Sequence, residues 1–306
     1  MSGHLDASGL KDRSIIVTGG ASGIGLAAVT RFAEGGAYVT IADVQDAVGN
    51  KVAADLNAKG CHVSFVHCDT SDWESSVAAF KHAASFGPSK SLDVAILNAG
   101  IEGDRGSLTD QVLAAPEPSL DPDVIPTRPT RKGAAVNFLG IYDNCWLALH
   151  YMRLPSKVDS ANAQHKTIVL TASLAAYGDM PASSDYNASK FAVRGLFRGL
   201  RHTTAALNVH LNLLAPYWIN TPLVQSVLPT LEKQGVKPGQ GFSWASVEYV
   251  VDAMVRSATD PNVGGKAWGI WPEGYSDMGE DEAGGWAGDH MRKHWEIQRQ
   301  KGDIML

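Results

Sequence analysis

Cysteine is scarce in this chain of 306 residues: Cys61, Cys68 and Cys145 are its three, and no two of them form a CxxC pair. That excludes a disulfide framework and a cysteine-based zinc site, and it suits a reducing compartment. No metal is expected. Positive charge is also short, with 26 Lys and Arg against 32 Asp and Glu and a net charge of -6. A surface that neutralises nucleic-acid phosphates is therefore not expected. Long apolar runs are missing. The long stretch 203–231, free of Asp, Glu, Lys and Arg, is interrupted by Pro216, Pro222 and Pro229, so no membrane-spanning helix and no membrane partner are expected. Residues 1–13 mix charged and small side chains without the apolar centre of an export signal, which predicts a cytoplasmic protein.

What the chain has is 44% hydrophobic residues, enough for one large core. Short β-branched runs at 14–17, 38–42, 62–67, 94–97, 167–170, 209–214 and 266–270 alternate with segments of helical period. This alternation predicts an α/β domain with a doubly wound parallel sheet of seven strands and helices on both faces. Ile24, Ala27, Ala28 and Phe32 mark the first helix, which Gly35-Gly36 stops. Later helices are expected at 46–59, 72–85, 131–154, 184–207 and 243–258. Five prolines between 102 and 132 exclude one helix there and predict a surface loop. Beyond Pro272 the period is lost until a short charged helix near 289–301, so 273–306 is expected to be an extension over the substrate mouth or onto a partner subunit, and 1–272 the domain proper.

Two constellations carry chemistry. The first is Thr18-Gly19-Gly20-Ala21-Ser22-Gly23-Ile24-Gly25, between an apolar strand and a helix, where glycines let a pyrophosphate approach backbone N–H groups at the helix N-terminus. Asp43 ends the second strand 18 residues after Gly25, placed to bind both ribose hydroxyls of an adenosine and to repel a 2′-phosphate. Neither Val44 nor Ser22 brings the cation that a 2′-phosphate needs, so NAD is expected rather than NADP. In the second, Tyr186 and Lys190 stand at i and i+4 on one helix face, 13 residues after Ser173, and Asn137 interrupts a long helix in which an amide is a poor former.

In this combination the chain resembles the short-chain dehydrogenase/reductase family. The resemblance rests on Thr18 to Gly25, Asp69, Asn98-Ala99-Gly100, Asn137, Ser173, Tyr186-Asn187-Ala188-Ser189-Lys190 and Ile219-Asn220-Thr221-Pro222, and it covers roughly residues 10 to 272. It implies a single-domain Rossmann fold. It also implies a catalytic set of Asn137, Ser173, Tyr186 and Lys190, with Tyr186 as acid/base, Lys190 favouring its phenolate, Ser173 holding the substrate oxygen and Asn137 positioning a water. Cofactor contacts are implied for Gly19, Ser22, Gly23, Ile24, Gly25, Asp43, Val44, Asp69, Thr70, Asn98, Ala99, Gly100, Tyr186, Lys190, Pro216, Ile219 and Thr221.

The resemblance also implies substrate contacts for Ser173, Ala175, Tyr186, Tyr217 and Trp218, within apolar walls formed by Ile101, the 174–180 loop and the segment after Thr221. Two features depart from the family pattern. Tyr217-Trp218 follows Pro216 where the family has glycine, and the span from Gly100 to Asn137 is about a dozen residues longer than usual. The expected activity is NAD-dependent interconversion of a secondary alcohol and a ketone on a sizeable hydrophobic metabolite, polycyclic, terpenoid or polyketide. The alternatives are a non-redox enzyme on the same fold, a dehydratase or cyclase, or a cofactor-binding regulatory protein. A homodimer or homotetramer joined through the helices of Asn137 and Tyr186 is implied by the resemblance alone.

Overall fold

The computed structural model describes residues 4–103, 107–157, 165–180, 183–233, 235–279, 293 and 300. Seven parallel strands form the sheet: β1 (Ser14–Thr18), β2 (Tyr38–Asp43), β3 (His62–His67), β4 (Val94–Leu97), β5 (Lys166–Thr171), β6 (Val209–Pro216) and β7 (Ala267–Trp271). Their spatial order, β7-β6-β5-β4-β1-β2-β3, reverses direction between β1 and β4. Every residue of β1, β4 and β7 is buried, as a sheet covered on both faces requires. All seven expected strands are present.

An eighth strand, β8 (Gly274–Asp277), pairs antiparallel with β7, so the sheet continues past residue 272. Its four half-buried residues carry no alternation to read in advance. The backbone N–H of Met278, a fully buried residue, then bonds the Ala267 carbonyl at 2.8 Å. The expected tail helix and the mouth-covering segment fall almost wholly outside the described residues.

The helices are α1 (Gly23–Glu34), α2 (Asp46–Asn57), α3 (Trp73–Phe86), α4 (Leu108–Leu113), α5, a continuous run of Lys132–Ala134, Ala135–Gly140 and Ile141–Met152, then α6 (Ser184–Leu200), α7 (Pro222–Lys233) and α8 (Val247–Thr259). Local chemistry explains several ends. Asp72 caps α3 through the Ser75 N–H at 2.7 Å, and Ser246 caps α8 through the Glu248 N–H at 3.2 Å, so that this helix opens at Val247, four residues later than expected. The expected helix 184–207 stops at Leu200, and a 3-10 turn, Thr204–Leu207, follows. Among the described residues of the proline-rich span, the short α4, made by a Ser107/Asp110 capping box, precedes an exposed loop over 114–131. Helix α7 was not expected because of its prolines. Pro222 occupies the first position, where its missing N–H is harmless, and the helix tolerates Pro229.

Candidate active site

The site lies where the strand order reverses, beyond the carboxyl ends of β1 and β4, the usual ligand crevice of an open α/β sheet. Thr18 locks the two ends together. Its Oγ1 accepts the N–H groups of Asn98 at 3.0 Å and Ala99 at 3.1 Å, while Asn98 Nδ2 donates to the carbonyls of Thr18 and Gly19 at 3.3 and 3.4 Å. A cleft of about 430 Å³ opens above them.

Glycine makes one wall of that cleft possible. Gly19 adopts φ +65°, and a side chain there would come within 2.9 Å of the Ala99 Cα. At Gly25 a Cβ would strike the Gly19 carbonyl oxygen at 2.0 Å, so this glycine lets α1 pack onto the turn and does not itself line the cleft. Ser22 holds the N-cap position of α1 without capping it through its side chain, which leaves the first-turn N–H groups open beside Ser22, Gly23 and Ile24 in the cleft wall. Asp43 completes this end. Its Oδ2 accepts from the Ala21 N–H and its Oδ1 from the Gln45 N–H, both at 3.0 Å, so the carboxylate is held rigidly at the cleft edge. An open helix N-terminus, a glycine cradle and a fixed carboxylate fit a dinucleotide.

Val44, Asp69, Thr70, Asn98, Ala99, Gly100, Pro216, Ile219 and Thr221 also line the cleft. Asp69 accepts from the N–H and Oγ of Ser71, which holds its carboxyl below the ordinary range. Cys68 is a wall as well. Burial pushes its thiol up to about 11, leaving it inert as a nucleophile.

At the other end stand Ser173, Tyr186 and Lys190, from the turn after β5 and the first turns of α6. Lys190 is buried, its Nζ 3.1 Å from the Thr171 carbonyl and 5.5 Å from the centre of the Tyr186 ring. Burial pushes its ammonium down to about 8. Burial raises the Tyr186 phenol, and a hydrogen bond with Ser173 opposes that rise. Ser173 Oγ also accepts the Ala175 N–H at 3.1 Å.

Asn137 sits behind this wall, fully buried, in the π-helical stretch Ala135–Gly140. Its amide grips Ile101 twice, accepting the N–H at 2.8 Å and donating to the carbonyl at 2.9 Å, and it donates to Ser189 Oγ at 3.2 Å. A π turn inside an α-helix is the structural reason for the misplaced amide. A Cβ on Gly100 would meet Asn137 Oδ1 at 3.4 Å and Lys190 Nζ at 3.6 Å, so the two groups flank one backbone.

Two expected substrate residues stand away from the cleft lining. Ala175 is buried in a 3-10 turn, and Trp218 turns onto Phe242 with ring centres 4.9 Å apart. Tyr217, Ile101, Pro222, Leu223 and Val224 do line it, and so do Val136, Gln45 and Thr171, which sequence reasoning missed. Thr171 was within reach of it, because it ends β5 two residues before Ser173. Among the described residues, no cluster of three or more His, Cys, Asp or Glu could hold a metal ion, and no helix is long and apolar enough to cross a membrane.

The short chain dehydrogenase profile matches residues 13–232. This chain belongs to that family. The chain is 41% identical over 300 residues to a 5'-hydroxyaverantin dehydrogenase of Dothistroma septosporum, covering 98% of this chain and 97% of the relative. To one of Emericella nidulans it is 40% identical over 300 residues, covering 97% and 96%. An NADP-dependent dehydrogenase of Phoma sp. is 31% identical over 277 residues, covering 86% of this dehydrogenase and 76% of the relative. The solved structure of a levodione reductase superposes with TM-score 0.70 at 22% identity, over 86% of this chain and 97% of that one, and it confirms the fold. The protein is thus a dehydrogenase of the short-chain type with a nicotinamide cofactor and a small-molecule substrate.

Proposed function

We propose that this dehydrogenase interconverts a secondary alcohol and a ketone on a hydroxylated polyketide, with 5'-hydroxyaverantin as the first candidate and NAD as cofactor. The observation that carries the reading is the placement of Ser173, Tyr186 and Lys190 at one end of a cleft whose other end holds Asp43 and the open terminus of α1. The relatives' names supply the substrate class. Ile101, Val136, Tyr217, Leu223 and Val224 offer an apolar wall without Arg or Lys to clamp a carboxylate or phosphate.

When bound, the nicotinamide supplies hydride acceptance or donation. The remaining work belongs to the chain. Ser173 Oγ holds the substrate oxygen, and the Tyr186 hydroxyl exchanges a proton with it. The buried Lys190 cation favours the phenolate that burial alone would disfavour. Asn137 has both amide hydrogens engaged, so it positions a water only through the remaining Oδ1 lone pair.

For the cofactor, the fixed Asp43 carboxylate and the absence of Lys or Arg at Ser22, Val44 and Gln45 favour an unphosphorylated ribose. Homo-oligomerisation is supported by Leu139, Tyr142 and Trp146, which are 53%, 52% and 53% exposed on one face of α5 beside Trp73 of α3. A substrate panel tests the function: kcat/KM should be highest on a polycyclic polyketide alcohol. A small polar or sugar alcohol as the best substrate would overturn it.

A further inference from the structure

The helix that carries Tyr186 and Lys190 also reaches back to the turn that follows Ser173. Asn187 Nδ2 donates to the carbonyls of Ala175 at 2.7 Å and Gly178 at 3.0 Å. Seven residues later on α6, Arg194 Nη1 donates to the Ala176 carbonyl at 3.3 Å, and its guanidinium lies over the Tyr177 ring with Cζ 3.9 Å from the centre. Ala175, Ala176 and Gly178 are buried, so a carbonyl stripped of its donor there has little water to turn to. The turn is bonded in turn to Ser173, whose Oγ accepts the Ala175 N–H and whose carbonyl accepts the Ala176 N–H at 2.9 Å. Any slip of residues 174–178 is therefore passed on to the Ser173 hydroxyl.

We propose that Asn187 and Arg194 are positioning residues that lock the 174–178 turn onto α6 and so set the Ser173 hydroxyl against that of Tyr186. The inference rests on the proposed roles of Ser173 and Tyr186. Asn187 suits the task because one short amide spans two carbonyls with its two N–H donors, which neither serine nor alanine can do. Arg194 adds a planar group that bonds one carbonyl and covers the adjacent ring.

The test is a double-mutant cycle on the full-length protein with a polyketide alcohol and NAD. It compares Asn187→Ala, Arg194→Met, Ser173→Ala and the Ser173→Ala/Asn187→Ala pair. Asn187→Asp, equal in volume but with a carboxylate facing the two carbonyls, is measured beside them. Asn187→Ala and Asn187→Asp should lower kcat by about tenfold or more, because small misplacements at a reacting centre are costly. Affinity for the reduced cofactor, followed by its fluorescence, should change by less than about twofold, and in the Ser173→Ala background the further loss from Asn187→Ala should also be less than about twofold. Equal losses in both backgrounds overturn the inference, and so does an unchanged kcat while Ser173→Ala is impaired. Failure of all three variants at 187 and 194 to fold would also overturn it, since the pair would then be scaffold. Full turnover in Ser173→Ala is a separate result. It overturns the proposed role of Ser173 and the inference with it.

Discussion

Lys190→Met should make the cofactor-free protein no less stable at neutral pH while removing its activity. The buried ammonium falls from 10.5 to about 8 because burial penalises its charge, and that drop corresponds to about 3 kcal/mol of destabilisation. The sign follows from the protons bound. Below about pH 8 both folded and unfolded chains hold the proton, and the folded state carries the whole penalty. From about pH 8 to about 10.5 the folded lysine is already neutral, so stability rises with pH as the penalty fades.

Methionine fills most of the lysine stem and carries no charge, but it strips the Thr171 carbonyl of its 3.1 Å donor, at a cost of about 1 to 3 kcal/mol. The net expectation near pH 7 is a variant more stable by about 0 to 2 kcal/mol, or at most about 4 °C in melting temperature. Thermal melts of both proteins at several values from about pH 7 to about pH 10 read this directly, and the variant's advantage should shrink along the series. Turnover should fall by at least about 10². A variant that melts several degrees lower near pH 7, or an advantage that does not change with pH, would refute the reasoning. Such results would mean that the lysine is better compensated than its surroundings indicate.

The other expectations can be checked with ordinary kinetics and solution methods. Tyr186→Phe should lose nearly all turnover with cofactor affinity close to normal, and retention of more than about a tenth of kcat counts against the assignment. Ser173→Ala removes the hydrogen bond that opposes the rise of the Tyr186 phenol, so the pH at which alcohol oxidation gains speed should move upward, as a kcat/KM profile would show. In Asp43→Ala the preference for NAD over NADP should narrow, and a wild-type kcat/KM that favours NADP would contradict the cofactor reading. Trp146→Glu should lower the mass of the assembly measured by light scattering if the exposed α5 face joins two copies, whereas an unchanged mass places the contact elsewhere.

Much of the fold was legible because parallel strands buried on both faces leave short apolar runs, as in Ile15-Ile16-Val17 of β1 and Val94 to Leu97 of β4, and β1, β4 and β7 are buried throughout. The short β8 has only half-buried residues and thus no period, and α7 was hidden by prolines that mark turns more often than helix interiors. At the site, type and spacing singled out the glycine turn, Asp43, Ser173, Tyr186 and Lys190, and the family resemblance supplied the roles expected of them. The substrate wall was read less well. Which of Tyr217 and Trp218 faces the cleft depends on the Trp218–Phe242 packing across 24 residues, and Val136 reaches the cleft through a π turn whose one local sign is the poor helix former Asn137.

If Tyr186 and a nicotinamide together convert an alcohol into a ketone in this cleft, the conversion can be followed in one sample. 5'-Hydroxyaverantin and NAD are mixed with the wild-type protein and with Tyr186→Phe, and nicotinamide absorbance and the mass of the product are read together. The wild type should give reduced nicotinamide and ketone in equal amounts, and the variant almost none of either. Substrate consumed without reduced nicotinamide, as a dehydratase or cyclase would give, would contradict that conversion.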